Sequence, residues 1–142
     1  MRLHLPAFLF GEEPAHFLPL VVLAVLLAGA TTVAYELVLH QMLGGVVFYP
    51  GPVAFLGVLA AGLAGLRNSG LVVGILLGAA PAFGFNVFHY VLSIGHRSVQ
   101  WGLVEAALSP MLVIGGVIGV VGFLLGRGLD RLSPELARKS GV

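Results

Sequence analysis

The sequence predicts an all-α, polytopic integral membrane protein: a four-helix bundle made of two helical hairpins, with both termini in the cytoplasm. Three observations carry this expectation. First, the 142 residues are 58% hydrophobic and only 9% charged, with a mean hydropathy of +1.06, whereas soluble domains carry roughly 25% charged residues. A core of this length could not hide so much apolar surface from water, so lipid must be the solvent for most of it. Second, the apolar residues fall into four runs separated by short turns. Third, many of the 21 glycines sit inside those runs, where they point to close helix contacts rather than loops.

Residues 1–16 mix Arg2, His4 and Pro6 with Phe8, Leu9 and Phe10, then Glu12 and Glu13. Pro6 and Gly11 break the apolar run that a signal peptide would need, so this segment is expected to be an interfacial lead-in kept in the mature protein. The bundle is expected over 17–126. Its first span is about 17–41, with Pro19 in the first turn and Gly29, Thr32, Glu36 and His40 on one face. Two prolines around Gly51 mark a turn, and the second span, 53–66, is short for a 30 Å hydrocarbon core. Arg67-Asn68-Ser69-Gly70 is a tight polar turn. The third span, 71–94, carries Gly74, Gly78, Ala82, Asn86, His89 and Ser93 at helical spacing, a small and polar stripe on an otherwise greasy rod. After a turn with His96 and Arg97, the fourth span is expected at 102–125. There Glu105, Leu108, Leu112, Gly115, Gly119, Gly122 and Gly126 form a close-approach seam with two small-xxx-small pairs. Residues 127–142 read as a basic cytoplasmic tail in which Ser133-Pro134-Glu135 starts a short surface helix, with Ser as cap and Pro at the first position.

Four crossings put Arg2, Arg67, Arg127, Arg131, Arg138 and Lys139 on one side and Arg97 alone on the other. Six against one places the termini in the cytoplasm and the protein in the cytoplasmic membrane. Phe48, Tyr49, Tyr90 and Trp101 then gather at the outer interface, where aromatic side chains favour the headgroup region. The net charge of +1 implies no nucleic-acid partner. The absence of cysteine excludes disulfides, thiolate metal sites and cysteine nucleophiles. No phosphate-binding glycine loop, GxSxG or HExxH is present, so catalytic activity of its own is not expected.

This orientation brings Glu36, His40, Asn86, His89 and Glu105 to one depth in the outer leaflet. Ionisable groups within spans are costly and face the bundle or a cavity. Three chemistries fit. Glu36 can pair with His40 or His89 while Asn86 and Thr32 add interhelical hydrogen bonds, which makes the cluster structural. Alternatively, His40 and His89, two histidines on different helices, can ligate haem b or a metal, with Glu36 or Glu105 nearby. Lastly, Glu36 can act as a proton acceptor in a transport cycle. A four-span chain with one acid in its first span resembles the small multidrug-resistance transporters, and proton-coupled transport is what that resemblance implies; it extends to length and Glu36 alone. The charge bias also opposes a dual-topology dimer. The sequence therefore leads to an accessory or packing subunit of a membrane complex, or a homo-oligomer, embedded in lipid. Its contact faces would be Gly74, Gly78 and Ala82 on the third span and Gly115, Gly119, Gly122 and Gly126 on the fourth.

Overall fold

A computed structural model describes residues 5–11, 17–40, 51–67, 69–93 and 98–139. Every regular element among them is a helix: α1 (Leu5–Phe10), α2 (Phe17–Ala34), α3 (Gly51–Leu66), α4 (Leu71–Val87), α5 (Val99–Leu108) and α6 (Pro110–Lys139). Helices α2 and α4 each run on into a π-helical turn, Tyr35–His40 and Phe88–Ser93. Three helical segments are long and apolar enough to cross a membrane: Phe17–Leu37, Leu71–Leu92 and Pro110–Leu132. The apolar α3, with 16 residues, is about 24 Å long.

Helix α4 is the axis of the molecule. Helices α2, α3 and α6 all pack on it, and α3 and α6 also pack on each other. Hydrophobicity all round, with more than half its span window buried by protein, marks it as an interior rod. The chain turns tightly into α4 at Gly70, whose φ of +94° suits glycine. That turn is also covered: a Cβ at Gly70 would strike the backbone of Leu9, Phe10 and Gly11. Helix α1 thus folds back over the start of α4. Phe8 meets Phe123 edge-on, with ring centroids 6.0 Å apart, and the Arg127 guanidinium lies 5.3 Å over the Phe8 ring. The described part of the lead-in, residues 5–11, is therefore packed against this end of the bundle.

The fourth predicted span, 102–125, is corrected. The helix breaks at Ser109, which is extended (ψ 138°), and restarts at Pro110. The residue before a proline is pushed out of the helical region. Ser109 Oγ accepts a hydrogen bond from Met111 N–H at 3.3 Å, the arrangement of a helix cap with proline at the first position. The second Ser-Pro pair behaves differently. Ser133-Pro134 was expected to open a separate tail helix, but α6 continues unbroken through it to Lys139. Proline at 134 removes the N–H that would bond the Asp130 carbonyl, and α6 nevertheless runs on past it. The predicted turn at 42–52 falls mostly in residues outside the described ones, as do Arg2 and His96–Arg97.

Candidate functional site: a glycine junction and a polar end

The small residues of α4 and α6 face one another. A Cβ built on Gly78 would lie 2.5 Å from Gly119 N and 3.1 Å from Gly115 O. One on Gly115 would lie 2.8 Å from Ala82 Cβ, and one on Gly74 would run into the Phe123 ring. Backbones this close require glycine on both sides. The α6 seam then changes partner. A Cβ on Gly122 would meet Val58 O at 2.7 Å, and Gly126 abuts the backbone of Gly62. Gly115 and Gly119 thus close on α4, while Gly122 and Gly126 close on α3. The sequence reading missed the α3 glycines. Gly57 would touch Gly78 O at 2.7 Å and Gly65 abuts the Phe123 carbonyl. Gly57, Ala61 and Gly65 carry the same small-xxx-small signal, hidden because α3 is short. These seams join the chain's own helices, so the faces expected to meet other subunits are occupied from within.

Farther along α4 the stripe turns polar. Asn86 is 1% exposed and its Nδ2 donates to Ala106 O at 3.2 Å. Proline at 110 has no N–H, so the Ala106 carbonyl lacks its helical donor, and the Asn86 amide supplies one from across the bundle. Thr32 Oγ1 lies 3.0 Å from Ala28 O and 2.9 Å from Gly84 O. Its single proton thus serves carbonyls of two helices. At Gly84 a Cβ would strike the Ala28 carbonyl and sit 3.0 Å from Thr31 Cβ, which explains how α2 comes near enough for that bond.

The two π-helical turns lie side by side. An aromatic set fills the space around them. Tyr35 meets Phe85 at 5.1 Å and Phe88 at 5.7 Å. The His89 ring stacks parallel to Phe85 at 6.3 Å and meets Tyr90 at 5.0 Å. His89 Nδ1 is buried without a hydrogen-bond partner. Glu36 lies on the neighbouring turn, half-buried, and no bond joins it to His89 among the described residues. Glu105 is half-buried on α5, next to Ala106. The side chain of His40 is outside the described ones. Among the described residues no three His, Asp or Glu side chains come together as a metal site. His89 Nδ1 is thus a buried ring nitrogen with no protein partner, and the other histidine of the expected pair, His40, is not among the described side chains.

The helices define an all-helical protein that is, by length and composition, a membrane protein. The chain belongs to a domain family of unknown function, DUF8071, which matches residues 11–138. No curated protein and no solved structure matches it.

Proposed function

We propose that the protein is a four-pass subunit of the cytoplasmic membrane, with both termini in the cytoplasm, that works by helix contact in a larger assembly or a homo-oligomer. Helix α2 carries the reading. It rests on α4 along one side, and the opposite face exposes Leu18, Val22, Val25 and Val33. On that open flank a Cβ at Gly29 would meet no atom within 4 Å. A small residue on a lipid-facing helix lets another backbone approach. The contact face is accordingly the α2 flank rather than the closed Gly74–Gly126 seams. The topology rests on the arginine bias and on α1, the Gly70 turn and Arg127 meeting at one end of the bundle. Helix α3 falls about 6 Å short of the hydrocarbon thickness, a mismatch that local bilayer thinning absorbs.

The test is the native mass of the protein extracted in mild detergent. A stoichiometric complex is expected, and Gly29→Leu should dissociate it while leaving helicity unchanged. A single wild-type chain with no bound polypeptide would sink the proposal.

A further inference from the structure

Helix α2 lies against α4 but stands off α3, and the gap between them is a groove of about 280 Å³. Leu20 and Leu27 form one wall, Leu56 and Ala60 the other, and Leu77 of α4 the floor. Its lining is apolar apart from Arg67 at one end. Arg67 follows the last residue of α3 and precedes the start of the α4 span by four residues, the level at which a spanning helix meets the headgroups. From Arg67 to Leu56 is eleven steps of helix, about 16 Å. One leaflet of hydrocarbon is about 15 Å deep. The groove thus has the depth of a single acyl chain, runs from headgroup level toward mid-bilayer, and carries one positive charge at its headgroup end. The Arg67 guanidinium is exposed and has no partner among the described residues, whereas Arg127 at the same end rests on Phe8.

We infer that this groove is a binding site for an anionic phospholipid, with one acyl chain between α2 and α3 and the headgroup phosphate on Arg67. Guanidinium and phosphate pair through two parallel N–H···O bonds, and among the described residues no acidic side chain lines the groove to compete for the guanidinium. The site does not depend on α2 recruiting another subunit, since the Gly29 flank points away from the groove wall.

The experiment is native mass spectrometry of the full-length protein, delipidated in detergent and titrated with phosphatidylglycerol or phosphatidylcholine of the same chains. Wild type should keep one phosphatidylglycerol per chain with about fivefold preference over phosphatidylcholine, the selectivity expected of one arginine at an anionic interface. Arg67→Gln should abolish the preference while still taking up either lipid. Ala60→Phe should fill the groove and abolish both, with circular dichroism unchanged. Equal retention of the two lipids by wild type, or an undiminished preference in Arg67→Gln, would overturn the assignment. So would release of the lipid by millimolar inorganic phosphate, or a lipid-free dimer that Ala60→Phe disrupts, which would give the groove to a second copy.

Discussion

Asn86 and Pro110 act as a pair although 24 positions separate them. The proline removes a donor and the asparagine returns one, through a 3.2 Å bond between helices. Asn86→Leu keeps the branched shape, with somewhat larger end groups, and deletes the donor, leaving the Ala106 carbonyl unpaired in a buried place. The expected cost is about 1–2 kcal/mol, near the top of the range measured for interhelical bonds in membranes, read as a lower unfolding midpoint in detergent. Thr32→Val should cost less, about 0.6 kcal/mol, because Gly84 O also receives the Phe88 N–H. Equal losses would mean that the amide is not the sole donor to Ala106. His89 supports a different expectation. The ring packs against Phe85 and Tyr90 with Nδ1 buried and unpartnered; in the structural reading of the cluster, the purified protein should show no Soret band. A haem spectrum lost in His89→Ala would instead restore the bis-histidine reading.

Between helices, the glycines sort by what they touch rather than by where they fall in a motif. Gly78 faces the Gly119 backbone, while Gly29 faces nothing. Gly78→Ala should therefore force α4 and α6 apart and cost more than 2 kcal/mol, the scale of an overpacked core. In the separated protein, Gly29→Ala should be neutral or raise stability by up to about 1 kcal/mol through helix propensity. Thermal unfolding of the two variants side by side checks this, and a similar loss in both would mean that the seam is not sterically closed. The spacing of Gly74, Gly78, Gly115 and Gly119 could be seen in the residue order, because helical periodicity alone puts them on stripes. Which stripe meets which could not, since that depends on α6 crossing from α4 to α3 near Gly119. The helix break was harder still. Both Ser-Pro pairs carry the same local signal, and only the distant Asn86 amide, together with packing of Gly102 against Tyr90 and Val91, marks the first as the place where the helix can end inside the bundle.

At the scale of the molecule, the composition points to lipid as the solvent and the arginine bias supports the proposed direction, but neither counts the crossings. Three segments are long enough by themselves, and α3 decides between three passes and four. Its packing supports the proposed fourth pass. Val53 in the first turn of α3 is buried with Phe85 and Phe88, Gly57 in its middle meets Gly78, and Gly65 near its end meets Phe123 and Arg127. It therefore runs beside α4 and α6 over most of its length instead of lying flat at the interface. With four passes, Ser69 lies on the side of Arg67 and Arg127, and Ser98 lies on the other. The chain contains no cysteine, so Ser69→Cys and Ser98→Cys each introduce a unique thiol. In intact cells stripped of any outer barrier, a membrane-impermeant maleimide should label Ser98→Cys at once and Ser69→Cys only after permeabilisation. Both thiols labelling from the same side would leave α4 as an incomplete crossing. Labelling in the reverse order would keep the four passes and turn the molecule over, leaving the lipid groove in the opposite leaflet.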